Sequence, residues 1–201
     1  MGIFSFLKFS KSTEITLGVL GEVNSGKTTL ANRIGLDFAG KTIGTTSAIP
    51  HETREIAMLR NVDFRTKSGH RINLNLVDTP GIASSIDYRE FMNHGLSKEQ
   101  SIERAKQATQ GVVKAIQSLN TLDAAIVVVD SARQPFNQIN WTILGNLKAR
   151  NVPIIVAANK IDLPDADPVL VKEVFQSEII PISALTGDGI ERLYEAIGQI
   201  S

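Results

Sequence analysis

The sequence predicts a three-layer α/β domain built on a mostly parallel sheet. Two observations carry this. Short, nearly continuous apolar runs recur along the chain, as strands buried on both faces do. Segments of helical period separate them, so strand and helix alternate and parallel neighbours are joined by right-handed crossovers. A third observation places an edge: one pair of adjacent strands alternates apolar with polar residues across a tight turn.

In chain order, Ile15–Leu20 (ITLGVL) is the first strand and Lys27–Leu36 the first helix. Arg54–Arg65 and Arg71–Val77 alternate, with Ile72, Leu74 and Leu76 set against Asn73 and Asn75 and with Ser68-Gly69 between the two runs. They form an antiparallel hairpin with one polar face, at a sheet edge. A long helix follows near Ser97–Leu119. Ala124–Val129 and Ile154–Ala158 are buried strands, with a helix over Asn137–Arg150 between them. Helices over Pro168–Phe175 and Gly189–Ile200 flank a last short strand, Glu178–Ile182.

Composition narrows the function classes. A chain of 201 residues suits one domain, which buries roughly 70% of its unfolded surface without needing a staple. It has no cysteine, which removes zinc knuckles, iron–sulfur clusters, thiol nucleophiles and disulfides. The 21 basic and 21 acidic residues cancel, so there is no strong nucleic-acid signal. No apolar run approaches the ~20 residues that span a membrane, and a cytoplasmic protein is expected. Residues 1–13 form an N-terminal extension ahead of a domain over 14–201. Its start, MGIFSFLKFSK, is apolar but interrupted by Lys8, and Phe6 stands where myristoylation needs a hydroxyl. It reads as a terminal segment packed on the domain or frayed, or as a weak membrane- or partner-touching helix at residues 1–11.

Ligands in such folds bind at the carboxyl ends of the strands. After the first strand comes Gly21-Glu22-Val23-Asn24-Ser25-Gly26-Lys27-Thr28, a G-x-x-x-x-G-K-T loop opening a helix. By residue frequency the bare pattern occurs by chance in on the order of 1% of chains this long. Its glycines let backbone N–H groups turn inward around a phosphate. The helix aims its N-terminus at the anion. Lys27 supplies a point charge to the β- and γ-phosphates, and the Thr28 hydroxyl is a hard ligand for Mg2+. The binding stretch runs from Glu22 through Thr29.

Asp78-Thr79-Pro80-Gly81 follows the hairpin's second strand. Asp78 at the strand end can hold a Mg2+-bound water, and the Gly81 N–H can meet a γ-phosphate and swing when it leaves. Asn159-Lys160-Ile161-Asp162 follows Ile154–Ala158. A carboxylate at Asp162 accepts from guanine N1–H and the exocyclic amine together, which adenine cannot match. The Lys160 stem can cover the base plane. Ser183-Ala184-Leu185 follows the last strand, where the Ala184 N–H can meet guanine O6.

These four elements, in this order, resemble a small GTP-binding protein of the P-loop translation-factor class, Era-like in particular, over about residues 14–201. Ile43 to Ile56 (IGTTSAIPHETREI) together with the DTPGIA run is similar to archaeal Era-like GTPases. The resemblance implies a P-loop GTPase domain with a six-stranded, mostly parallel sheet, one antiparallel edge strand and five flanking helices. It also implies Mg2+-dependent hydrolysis of GTP to GDP and a switch cycle, with Lys27, Thr53 and Gly81 as the catalytic set. Thr28, Thr53 and Asp78 would serve Mg2+. Thr45, Thr46 and Thr53 all qualify by type as the switch threonine. Thr53 precedes Arg54 as in Era-like proteins and is preferred, with Thr46 the alternative.

Three departures matter. Ile82 stands where Ras-like enzymes place a water-orienting glutamine. Era proteins carry a C-terminal KH domain, whereas this sequence ends at Ser201 after the last helix, so RNA binding does not carry over. Ile82–Gln110 is long and charged, read as a lengthened helix plus a mobile loop. Asn24 stands where several Era-like GTPases hold K+ beside the phosphates; the alternative is that asparagine tolerates a left-handed turn there. His51 in the switch loop, His70 and His94 read as surface residues, Trp141 as partly buried helix packing, and Arg54 and Arg133 as surface arginines.

The expected function is a GTPase switch. Alternatives are a GTP- or GDP-binding interaction module with negligible hydrolysis, and a ribosome or RNA assembly factor. Candidate partners are a guanine nucleotide, a protein effector or activator at residues 82–110, and a second copy in a nucleotide-dependent dimer.

Overall fold

The computed structural model describes residues 14–44, 55–82 and 86–200. In chain order these residues form β1 (Glu14–Gly21), α1 (Lys27–Ala39), β2 (Ala57–Arg65), β3 (Arg71–Asp78), α2 (Tyr88–Asn93) and α3 (Lys98–Ser118). Then come a 3-10 turn at Leu119–Thr121, β4 (Ala124–Asp130), α4 (Gln138–Ala149), β5 (Ile154–Asn159), α5 (Pro168–Phe175), β6 (Ile179–Pro181) and α6 (Ile190–Gly198). The six strands make one sheet in the order β2-β3-β1-β4-β5-β6. β2 runs antiparallel to β3 at the edge, and the other neighbours are parallel.

Side chains of the central strands divide by period two between two cores. On β4, Ala124, Ile126 and Val128 pack on one face with Leu30 and Ile34 of α1 and Leu193 and Ile197 of α6. Ala125, Val127 and Val129 pack on the other with Ala115 of α3, Ile143 and Leu147 of α4 and Phe175 of α5. That is the three-layer arrangement the apolar runs predict. It brings the C-terminal ends of β1, β3, β5 and β6 to the same rim.

Two expectations on the fold are corrected. Five helices were expected, whereas the described residues hold six. The extra one, α2, lies inside Ile82–Gln110, whose described residues from 86 on therefore enter two helices. At six residues it is too short to display a period. Asp87 caps it by accepting from the Arg89 N–H, and Phe91 is its one buried residue. Ser97 and Gln100 then form a capping box that starts α3. The hairpin's polar face is also less exposed than alternation implies. Asn75 is buried, donating to Glu14 Oε1 at 2.6 Å and accepting from the Asn61 N–H at 3.2 Å. Asn61 is left-handed (φ 62° is found at Asn24, 57° here) and lies where the β2–β3 register shifts, between Leu59 and Val62. The bulge in β2 thus presents a backbone N–H to a polar side chain of β3 and satisfies it.

Trp141 is half-exposed between Phe136 and Phe175. His94 is exposed, while His70 is half-buried. No helix among the described residues is long and apolar enough to cross a membrane.

Candidate functional site: the phosphate, metal and base segments

β1 ends at Gly21, and the chain turns through Asn24 (φ 62°) and Gly26 (φ 97°) into α1. Gly26 is the N-cap of α1 and offers no side-chain cap, so the helix's first N–H groups face the loop. A Cβ on Gly26 would collide with the Asn159 amide, which makes this a position for glycine on two counts. Lys27 is 5% exposed, and its Nζ donates to the Glu22 carbonyl at 2.6 Å. Burial pushes its pKa down to about 8, against the pull of the Asp78 and Glu22 carboxylates. A buried ammonium beside a helix N-terminus is a receptor for anions. Burial likewise raises the Glu22 carboxyl, although a hydrogen bond from Asn137 and the charge of Arg133 oppose it.

Asp78 ends β3 opposite the loop, and Thr28 Oγ1 donates to its Oδ2 at 2.8 Å. Burial raises the Asp78 carboxyl, opposed by that hydrogen bond and by the Lys27 charge. Its Oδ1 is buried without a hydrogen-bond partner. Two hard oxygens, one of them unsatisfied, fit Mg2+, which takes one or two protein ligands and keeps waters and phosphate oxygens for the rest. Among the described residues no cluster of three acidic, histidine or cysteine side chains is found.

Beyond Asp78 the chain stays against the phosphate loop. Thr79 Oγ1 donates to the Val19 carbonyl at 2.8 Å. Ile82 N–H donates to the Gly21 carbonyl at 3.2 Å, and Val23 N–H to the Ile82 carbonyl at 3.3 Å. A Cβ on Gly81 would lie 2.8 Å from Val23 Cα, so Gly81 is pressed directly on the loop. The Ile82 side chain is 6% exposed and belongs to the core with Leu20 and Val77.

The base segments meet through Asn159, which is 2% exposed. Its Nδ2 donates to the Ser25 carbonyl at 2.8 Å, and its Oδ1 accepts from the Ala184 N–H at 2.9 Å. One amide therefore ties the phosphate loop to the loop after β6. Lys160 is left-handed (φ 70°), and its Nζ donates to Asp130 Oδ2 at 2.6 Å. Arg133 reaches the same oxygen at 3.5 Å. Asp162 is exposed in the turn after β5. Ser183 is buried, and its Oγ accepts from the Thr186 N–H at 3.0 Å.

The structure thus brings Glu22–Thr29, Asp78, Gly81, Asn159–Asp162 and Ser183–Leu185 to one rim. Thr45, Thr46, His51, Thr53 and Arg54 lie outside the described residues, as does the extension 1–13. Sequence reasoning missed the residues that brace these segments. Asn32 Oδ1 accepts from the Ile43 and Gly44 N–H groups at 2.8 and 3.0 Å, and its Nδ2 donates to the Gly44 carbonyl at 2.8 Å. Arg33 donates to the Ala184 and Leu185 carbonyls at 2.8 and 2.7 Å. No spacing rule marks them. Asn137, the N-cap of α4, was open to a capping argument.

A family model described as "50S ribosome-binding GTPase" matches residues 16–160. The chain belongs to this GTPase family. It is an Era-like P-loop GTPase domain. GTPase Era of Geotalea daltonii is 30% identical over 195 residues, covering 92% of this chain and 54% of that protein. The chain spans about half the length of the curated Era relatives it matches. Two Era structures resemble the fold with a TM-score of 0.69 at 24% identity, over 94% of this chain and 57% of theirs. One is Aquifex aeolicus Era bound to GDP.AlF4-; the other is Era in complex with MgGDPNP and a segment of 16S ribosomal RNA.

Proposed function

We propose that this domain binds GTP with Mg2+, hydrolyses it to GDP and phosphate, and works as a switch. The observation that carries the reading is the junction at Asn159. It holds the phosphate loop and the loop after β6 at a fixed spacing, as a ligand with phosphates at one end and a purine at the other requires. Lys27 and the N-terminus of α1 bind the phosphates. Thr28 ligates Mg2+, and Asp78 positions its water. A bound Mg2+ would neutralise charge on the β- and γ-phosphates. Asp162 reads the guanine edge. Thr53, with Thr46 as the alternative, and Gly81 are the groups that a γ-phosphate would order and its loss release. The helix pair α2–α3, with Met92 and Ile102 exposed, is the proposed effector surface.

The reading is tested by denaturing purified protein and identifying the released nucleotide by chromatography, then exchanging the base reader. Asp162→Asn should weaken GDP binding and favour xanthosine diphosphate, whose edge complements an amide. Wild-type protein that binds ADP within tenfold of GDP would sink the proposal.

A slower module has one observation in its favour. Ile82 is buried in the core and hydrogen-bonded only through its backbone, so its side chain orders no water. Turnover without a cation or activator is expected at ~10⁻³ s⁻¹ or below. K+ held by Asn24 would supply positive charge near the β- and γ-phosphates.

A further inference from the structure

The loop after β6 accounts for its backbone almost completely. From Ser183 to Asp188, Ser183 N–H donates to the Asp188 carbonyl and Gly187 N–H to the Ser183 carbonyl, both at 2.8 Å. Thr186 N–H donates to Ser183 Oγ, Asp188 N–H to Thr186 Oγ1, and Ala184 N–H to Asn159 Oδ1. The remaining amide is that of Leu185, in a residue 72% exposed.

Its direction is fixed from the other half of the same peptide. The C=O of Ala184 accepts from Arg33 Nε at 2.8 Å. In a trans peptide the C=O and the following N–H point in opposite directions, so the Leu185 N–H is held pointing away from α1. Arg33 Nη2 takes the next carbonyl, that of Leu185, at 2.7 Å. A guanidinium fork can hold two acceptors at once, which a lysine cannot. The left-handed Gly187 (φ 99°) leaves room on the other side, since a Cβ there would lie 3.2 Å from Arg33 Nη1.

Resting on the guanine-nucleotide reading above, we infer that Arg33 is a positioning residue for base recognition. It aims the Leu185 N–H, in place of the Ala184 N–H that Asn159 already engages, at the 6-oxygen of guanine. Arg33 touches no part of the nucleotide in this scheme. It acts through a single peptide, from the helix whose N-terminus binds the phosphates.

The probe is a pair of diphosphates that differ at the 6-position. GDP carries the oxygen and the N1 proton that goes with it; 2-aminopurine riboside diphosphate carries neither, so it lacks the N1–H bond to Asp162 in every variant, and only the change from wild type to variant is compared. Calorimetry on the nucleotide-stripped chain should show Arg33→Met weakening GDP by about tenfold, the scale of one hydrogen bond to the base. The 2-aminopurine analogue should bind wild type and Arg33→Met alike. Arg33→Lys should fall between them, since an ammonium holds one carbonyl. A variant that merely loosens the fold would lose both ligands together, and that result overturns the inference. So does an unchanged ratio of the two affinities. Wild-type protein that binds both ligands equally would overturn the guanine reading itself, and this inference with it.

Discussion

Replacing Asn159 by alanine should cost stability before any nucleotide is present. The amide is 2% exposed and makes two hydrogen bonds, one to the Ser25 carbonyl and one from the Ala184 N–H. Alanine leaves both partners without their bond in a place water enters poorly. An unsatisfied buried backbone group costs ~1–3 kcal/mol, so the two together cost about 3 kcal/mol once some water is admitted. For a domain of this size 1 kcal/mol moves the midpoint by ~2–4 °C, and the expected fall is about 6–12 °C. Asp162→Ala in the same motif is the control. Asp162 is exposed, and an exposed substitution stays within ~0.5 kcal/mol. Both variants are to be stripped of nucleotide and unfolded by heat and by urea, because bound ligand would mask the difference. A fall below ~2 °C for Asn159→Ala, or equal falls for the two, would refute the view that Asn159 is a brace and Asp162 a reader.

Three other outcomes are expected. Lys27, with its pKa near 8 in the free site, should take up a proton as phosphates restore it toward 10.5. GDP affinity should then fall as pH rises from about 8 to 10, with calorimetric proton uptake that Lys27→Met abolishes. Over the same window the unfolded chain holds the proton that the folded one has lost, so nucleotide-free stability should rise with pH. Replacing NaCl by KCl at constant ionic strength should raise turnover at least tenfold, which asks for only ~1.4 kcal/mol. Asn24→Gly is the variant to use there, because it keeps the left-handed φ of 62° while removing the amide oxygen; equal rates in the two salts would return Asn24 to a turn residue. Tyr194→Phe should cost about 1 kcal/mol in urea unfolding, since the buried phenol loses a 2.6 Å bond to Asp37 while its ring keeps the edge contacts with Phe38 and Phe64.

The strands were legible because burial on both faces leaves a local trace. Ala124–Val129 and Ile154–Ala158 carry little but apolar residues, and the cores they feed lie on opposite faces of the sheet. The segments at the strand ends were legible for a similar reason. Gly26, Lys27 and Thr28 are adjacent in sequence because one turn and one helix terminus build the loop after β1. α2 was not legible, since six residues with one buried side chain leave no periodic signal. Nor was the burial of Asn75, which depends on a bulge in the neighbouring strand at Asn61. The Ala184 N–H was assigned to the base from position alone, whereas the folded chain gives it to an amide 25 residues away in sequence.

The braces were illegible for a deeper reason. α1 meets three loops: Gly26 opens it from the phosphate loop, Asn32 holds Ile43 and Gly44, and Arg33 holds Ala184 and Leu185. Asn32 and Arg33 are adjacent yet serve segments that lie 11 and 151 residues away. Successive helical residues point about 100° apart, so neighbours in sequence reach different loops. What the two share is a rigid helix. Strain imposed on α1 at the phosphate end has no soft joint before it reaches the base loop, because the carbonyls of that loop are hydrogen-bonded to the helix itself. One helix therefore sets the position of both the loop that opens it and the loop after β6. Cutting the Arg33 link should lower GDP affinity about tenfold while the affinity for pyrophosphate alone, read by calorimetry, stays at the wild-type value; a pyrophosphate affinity that falls in step would refute the view that Arg33 acts only through the loop after β6.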